Sequence, residues 1–364
     1  MKEQNQDISF PPGKVAEQLL AWYGEHGRDL PWRQTRDPYR IWLSEIMLQQ
    51  TTVSAVIPYY QRFLETFPDV QRLAAAPMEE VLHYWSGLGY YSRARNLHAA
   101  AQSVVAESGG WFPDTVEGLM ALPGIGRSTA GAIVSIAFDC PAPILDGNVR
   151  RVLARLIALQ QSPREREAEQ QLWRLAEELT SQQRPHDYAQ AIMDLGATLC
   201  LPRNPLCPDC PLRELCRARR QGLEQQIPVT NKTVKIPTRK QLILIVADGE
   251  RLLLSRRPPS GLLGGMWEFP CCDTGADEEE SLQLLLDRYC PGGVAHRLGT
   301  INHIYSHFKL AATVYRAVAV KPEIVAEEGE TFWRGHDTLR QSPLHGAHQK
   351  ALKLIMKEIT ECPK

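Results

Sequence analysis

The chain has 364 residues, enough for two domains that each bury a core. Lys and Arg number 41 against 42 Asp and Glu, a formal net charge of −1, so no global field marks a polyanion partner. There is no long apolar span, and the first residues, "MKEQNQDISFPPG", lack a signal-peptide core. Together these predict a soluble intracellular protein in which clustered cysteines suggest metal rather than disulfides.

From about Gly13 to Arg220 the apolar residues recur at helical spacing, with Pro and Gly as punctuation. In "WLSEIMLQQTT", Trp42, Leu43, Ile46 and Met47, then Val53 and Val56, keep that spacing around Glu45. Two readings stand. Glu45 points to solvent between buried faces, or it is buried and must find a partner or a proton. A carboxylic acid kept neutral near pH 7 can donate that proton.

"LPGIGRSTAG" (122–131) predicts a helix ending near Met120 and another starting near Arg127. Gly124 and Gly126 would let backbone N–H groups at a helix N-terminus approach an anion such as a DNA phosphate. The alternative is an ordinary helix–helix turn. No Walker lysine follows, which argues against a nucleotide P-loop. In "PILDGNVRRV", Asp146 precedes Gly147, Asn148 and an apolar helix, a normal N-cap position. If Glu45 is an acid, Asp146 is placed to be its ionised partner, the pair of carboxylates suited to departure from a sugar C1 position.

The spacing Cys200-x6-Cys207-x2-Cys210-x5-Cys216 brings four thiols into one short loop. Thiolate ligands select zinc or an iron–sulfur cluster. Only one pair has the two-residue spacing of a zinc half-site, and a compact four-thiol loop suits a cubane, so the cluster is the favoured expectation. From Arg203 to Lys240, nine Lys or Arg face three acids (Asp209, Glu214, Glu224), either a phosphate-contacting strip or a solvated linker. "QGLEQQIPVTNKTVKIPTR" (221–239) has two prolines and no apolar period and reads as a linker. Beyond it, "KQLILIVADGERLLLSRRP" predicts a hairpin around Asp248-Gly249. "GMWEFP" and "KLAATVYRAVAV" predict strands, and "EEESLQLLLDRYC" and "HQKALKLIMKEI" predict helices. The expected layout is multi-domain: all-α over 1–220, a linker over 221–239, and α+β over 240–364.

With "SEIMLQQT", "GLGYYSRARNL", "LPGIGRSTAGAI", "ILDGNV", "MDLGATLC" and the four cysteines in that order, residues 13 to 220 resemble the helix-hairpin-helix DNA glycosylase superfamily, and within it the adenine glycosylases. The resemblance implies a monomeric base excision repair enzyme with a 4Fe-4S cluster on Cys200, Cys207, Cys210 and Cys216. It implies a cytoplasmic place at a bacterial nucleoid. Its partner would be double-stranded DNA in which adenine lies opposite 8-oxoguanine or guanine, and it would hydrolyse the adenine N-glycosidic bond.

By the same resemblance Glu45 would protonate adenine N7, Asp146 would stabilise the oxocarbenium-like sugar, and Asn148 would help place water. Trp32, Arg33 and Gln190 would line the adenine pocket. Gln50, Thr51, Leu88, Gly89 and Tyr90 would fill the gap and touch the orphan base, with Tyr90 the intercalating aromatic. Ser128 stands where strand-cutting relatives have the Schiff-base lysine, which implies a monofunctional enzyme.

The second domain resembles the Nudix-like module of these glycosylases. It lacks the Arg-Glu-x-x-Glu-Glu constellation that binds magnesium, so lesion recognition rather than pyrophosphate hydrolysis is implied. Tyr305, Ser306 and His307 of "HIYSHFKL" would read 8-oxoguanine, with Tyr305 where the family often has Phe. From the residues alone these three would be a strand edge with satisfied polar groups. Other readings are an endonuclease III-like or thymine-mismatch glycosylase, a non-catalytic DNA-binding protein, and a nucleotide pyrophosphatase.

Overall fold

The computed structural model of the chain describes residues 11–229, 236–258, 261–274, 277–305, 307–320, 331–335, 338–339 and 342–361. Ser306 and residues 230–235 of the expected linker lie outside them. The chain divides into two compact units, Met1–Ala75 with Asn96–Thr233, and Ala76–Arg95 with Val234–Lys364.

The first unit is helical. Its opening helices are α1 (Pro12–His26), α2 (Pro38–Leu48), α3 (Val53–Thr66) and α4 (Val70–Ala75). After α5 (Met78–Trp85), α6 (Ser92–Ser108) runs across the boundary between the two units. Then come α7 (Val116–Met120), α8 (Arg127–Phe138), α9 (Gly147–Leu156), α10 (Arg166–Leu179), α11 (Pro185–Thr198) and the short α12 (Arg217–Arg220). Local chemistry sets the starts. Asp37 accepts from the Tyr39 N–H to cap α2, whose first residue is a proline. Thr115 accepts from the Gly118 N–H to cap α7.

The turn between α7 and α8 falls where "LPGIG" predicts it. Gly124 has φ +79°, and a Cβ there would lie 2.6 Å from Asn96 Cβ, so only glycine fits. Helix α8 is apolar almost all round, and residues 130–136 are all buried. A Cβ on Gly131 would lie 2.3 Å from the Pro143 carbonyl oxygen, and Ser135 Oγ donates to the Ala142 carbonyl at 3.0 Å. Backbone contact with α8 thus holds residues 142–145 in place, and these lead directly to Asp146.

The second unit is built on a mixed sheet of β1 (Thr238–Asp248), β2 (Arg251–Arg256), β3 (Trp267–Glu268), β4 (Cys271–Asp273), β5 (Ala295–Ile304), β6 (Lys309–Val318) and β7 (Thr331–Arg334). The order is β3-β2-β1-β6-β5, with β4 beside β1 and β7 beside β2. The hairpin expected at Asp248-Gly249 is present, with Asp248 opposite Arg251. Strands β1 and β6 run parallel. The continuous apolar run of β1 follows from burial on both faces. Ile243, Ile245 and Ala247 pack with α14 (Gly346–Glu361), while Leu242, Leu244 and Val246 pack with α13 (Glu278–Tyr289). Residues 76–95 are tied to this sheet by Trp267 Nε1 donating to Glu79 Oε1 at 2.9 Å and by Arg95 donating to the Gly264 carbonyl at 2.9 Å. Among the described residues no helix is long and apolar enough to cross a membrane.

Because α8 leaves no room at its contact with Pro143, Gly131→Ala should destabilise the helical unit by about 1–3 kcal/mol through overpacking. Urea unfolding followed by circular dichroism checks this, and an unchanged midpoint would contradict the contact.

Candidate active site

The helical unit holds a cavity of about 490 Å³, within the usual range for a small-molecule site. Five segments line it. They are the stretch around Trp32, helix α2 with Glu45 and its continuation through Gln50 and Thr51, the start of α8 with Gly126 and Ser128, the Asp146–Asn148 corner, and α11 with Gln190.

Glu45 is partly buried and lines this cavity rather than open solvent. Burial, reinforced by the negative charge of Asp146, pushes its carboxyl up to about 7, against the pull of Arg33. Asp146 caps α9 by accepting the Val149 N–H at 2.7 Å. Burial raises its pKa as well, opposed by N–H bonds from Val149 and Asn148 and by the charges of Arg151 and Arg150. The two carboxylates therefore share a cavity in different surroundings. One has apolar neighbours, and the other sits at a helix N-terminus among cations.

Other expected residues meet here. Trp32 is buried edge-on to Tyr60, with ring centroids 5.3 Å apart, and both Trp32 and Arg33 line the cavity. Arg33 grips Asp194 with two 2.6 Å bonds. Asn148 Oδ1 accepts from Arg151 at 2.9 Å. Ser128 Oγ accepts the Leu145 N–H at 3.0 Å, joining α8 to the strand of chain before Asp146. Gln50 and Thr51 lie on the cavity wall, Gln50 with φ +58°. Gly124 shapes the turn but is not on the wall.

Leu88, Gly89 and Tyr90 belong to the second unit. Leu88 is buried, while Tyr90 is 40% exposed with φ +49°. Arg93 lies over both the Trp85 and Tyr90 rings, 5.4 Å from each centroid, and donates to the Gly89 carbonyl. Tyr305 and His307 sit in the turn between β5 and β6, closed by the Tyr305 N–H donating to the Phe308 carbonyl at 2.9 Å.

Asp194 and Arg28 are not singled out by the sequence, although their partner Arg33 is. Asp194 has no exposed side-chain surface and is held by Arg33 and Arg28. Burial works against its ionised form, but the bonds and charges of the two arginines outweigh it and keep its carboxyl below the usual range. Its signal was available, since an acid in "AIMDLGATLC" poses the same question as Glu45.

Helix α9 also fastens the cysteine loop. Arg151 donates to the Cys200 and Gly196 carbonyls at 2.7 Å each. The buried Arg155 donates to the Leu201 and Ile227 carbonyls and to Cys200 Sγ at 3.3 Å. The thiols of Cys207, Cys210 and Cys216 are raised, first by burial. Cys210 is pushed up to about 12. A tetrahedral zinc would hold its sulfurs roughly 3.8 Å apart. The group of metal-ligating side chains among the described residues whose donors all lie within 4.8 Å of one another is Glu268, His345 and His348, not the cysteines. By donor chemistry alone the four thiols suit either zinc or an iron–sulfur cluster.

In that group His345 pairs with Glu268, while His348 is held by the Phe269 N–H and its Nε2 has no hydrogen-bond partner among the described residues. His348 Nδ1 accepts the Phe269 N–H, so its proton sits on Nε2 and blocks coordination there. Arg257 already neutralises Glu268 at 2.6 Å. His345 Nε2 faces Glu268 at 3.3 Å, and its Nδ1 faces the Tyr305 hydroxyl at 3.0 Å.

A helical unit with a glycine hairpin, two carboxylates in one cavity and a four-thiol loop defines a base excision glycosylase. Residues 43–178 match the model of the HhH-GPD superfamily base excision DNA repair protein, and residues 241–354 match that of the NUDIX domain. An adenine DNA glycosylase of Mus musculus is 40% identical over 355 residues, covering 82% of this chain and 69% of its own. That of Buchnera aphidicola subsp. Acyrthosiphon pisum is 35% identical, covering 80% and 83%. Among solved structures, a thermostable thymine-DNA glycosylase superposes with TM-score 0.53 at 29% identity, over 58% of this chain and 97% of that one. The chain belongs to the adenine DNA glycosylase family.

Removing Asp194 leaves the nearly buried Arg33 without its anion. Asp194→Ala should cost about 3 kcal/mol, the lower end for a broken buried pair because Arg28 is partly solvated. Thermal unfolding measures this, and a loss below about 1 kcal/mol would show the arginines re-pair in solvent.

Proposed function

We propose that this chain hydrolyses the N-glycosidic bond of adenine opposite 8-oxoguanine or guanine in double-stranded DNA, without cutting the strand. The observation that carries the reading is the pair Glu45 and Asp146 in one cavity, one carboxyl poised near neutrality and the other at a helix N-cap. An adenine in the cavity has left the stack, an excursion of a few kcal/mol. Glu45, protonated, gives its proton to adenine N7 and so improves the leaving group. Asp146, ionised, faces the positive charge that develops on the sugar. Arg151 occupies the Asn148 carbonyl, which leaves the Asn148 amide N–H groups to orient the attacking water.

Ser128 has no amine for a Schiff base, and its oxygen is engaged by the Leu145 N–H, which supports a monofunctional reaction. Gly124, Gly126 and the N-terminus of α8 would take a DNA phosphate, and Tyr90 would fill the vacated step. Tyr305, Ser306 and His307 would read the lesion. Cys200, Cys207, Cys210 and Cys216 would hold a 4Fe-4S cluster, which stiffens the arginine-bearing loop they span. The protein would act as a monomer in the cytoplasm, at the nucleoid of a bacterium.

Single-turnover cleavage of a duplex with one adenine opposite 8-oxoguanine tests the chemistry. Strand breaks should need alkali and vanish in Glu45→Gln; breaks without alkali would show a lyase. The acid must be protonated, so the rate should fall about tenfold per pH unit above about 7, where Glu45 ionises. It should also fall at low pH as Asp146 is neutralised. A flat profile from pH 6 to 9 would remove Glu45 from the role.

The metal is tested separately. Purified protein should contain about four irons per chain and absorb in the visible, and Cys207→Ser should lose both. One zinc per chain and a colourless protein would assign the loop the other way.

A further inference from the structure

We propose that Tyr23 and His186 are positioning residues that lock the Gln190 side-chain amide so that it offers the cavity an acceptor only, and that this lock selects a purine carrying an exocyclic amine over one carrying an oxo group. The inference rests on the adenine glycosylase reading above and specifies how its base is chosen.

With a neutral His186 ring, the chain of bonds sets the remaining donor and acceptor roles. His186 Nδ1 lies 2.7 Å from the Ile136 carbonyl oxygen, which can only accept, so Nδ1 carries the proton. In the neutral ring, Nε2 is then an acceptor. It lies 2.7 Å from Gln190 and 4.0 Å from the nearest Asp187 oxygen, so its lone pair goes to the amide. The Gln190 atom facing it must be Nε2, donating. That turns Gln190 Oε1 toward Tyr23, whose hydroxyl donates at 3.1 Å. Burial raises the Tyr23 hydroxyl above its ordinary range, which keeps it a donor. The Arg33 guanidinium lies over its ring, 5.6 Å from the centroid.

Counting what remains gives the selectivity. The second Gln190 amide hydrogen has the His186 carbonyl at 3.5 Å. Both amide hydrogens are therefore directed into the protein. Oε1 has two lone pairs, and Tyr23 uses one. Gln190 is 2% exposed and lines the cavity, so a base meets one free lone pair and no free donor. An amine such as adenine N6 satisfies it. A 6-oxo group would oppose oxygen to oxygen in a site with little water, which leaves a buried acceptor unpaired. Without the lock the amide can turn and present its N–H groups, which accommodate an oxo group equally well.

Duplexes with 8-oxoguanine opposite either adenine or hypoxanthine separate these outcomes, read as single-turnover release rates for wild type, Tyr23→Phe, His186→Leu and His186→Gln. Wild type should prefer adenine. His186→Leu should lower the adenine-to-hypoxanthine ratio about tenfold or more, and Tyr23→Phe should lower it by a smaller factor. His186→Gln carries a carbonyl at similar reach and should restore most of the ratio. Circular dichroism melting of each variant registers any loss of fold. A His186→Leu protein that is slower on both bases with an unchanged ratio overturns the lock, as does a ratio that His186→Gln fails to raise. A wild type that releases neither base defeats the glycosylase reading itself, and the lock with it.

Discussion

Helix α9 is the constraint on which the helical unit depends. Its N-cap is Asp146, its first turn carries Asn148, and its later turns carry Arg151 and Arg155. A Cβ on Gly196 would lie 2.7 Å from Asn148 Cβ, so α11 presses its backbone against the start of α9. Arg151 and Arg155 reach five backbone carbonyls between Gly196 and Ile227, among them those of the cysteine loop. A guanidinium is well suited to this because its fan of donors can serve several acceptors at once. The corner that holds Asp146 and the loop that holds the thiols are thus parts of one rigid piece. A centre bound by the four cysteines would reach the chemistry mechanically, through α9, without touching a base.

The same helix gives the two carboxylates different surroundings, as the proposed mechanism requires. Burial raises both, so burial alone would leave two neutral acids. Asp146 differs because it accepts N–H bonds at a helix N-terminus and has Arg150 and Arg151 nearby. Glu45 has one counter-charge, Arg33, and that arginine is largely committed to Asp194. Asp194 therefore tunes Glu45 at one remove. By occupying Arg33 it leaves Glu45 without a full ion pair, as the proposed acid role requires.

Much of this was legible in the residues. Helix breaks at "LPGIG", the Asp146 cap and the Asp248-Gly249 hairpin are local signals, decided by glycine backbone freedom and side-chain capping. Glu45 could be posed as a question but not answered, because its surroundings come from α2, α8 and the Asp146 corner together. Strands β4 and β7 are three and four residues long and carry too little pattern to announce themselves. The grouping of residues 76–95 with the sheet depends on Trp267 and Gly264, far along the chain. Tyr23 and Gln190 are 167 residues apart, and neither type in its own helix suggests the other. Asp194 is the exception, since its sequence context carried the same warning as Glu45.

Tyr305 shows how a departure from a family pattern acquires its own support. A phenol in place of a phenyl ring brings a hydroxyl into a region packed with Ile301, Phe308 and Leu344, where an unpaired polar group is costly. The second unit supplies His345 as its partner. Burial lowers the His345 ring to about 3, so it stays neutral and keeps one donor and one acceptor. Glu268, already bonded to Arg257, takes the donor, which leaves Nδ1 to accept the Tyr305 hydroxyl. A protonated imidazole would have no acceptor to offer, and a metal would displace the same lone pair. The neutral ring is what makes the tyrosine tolerable. The lock proposed for Gln190 in the helical unit uses a similar device, a histidine whose second nitrogen is already spent on the Ile136 carbonyl. In both units a histidine nitrogen held by its surroundings gives direction to a side chain whose orientation would otherwise be free.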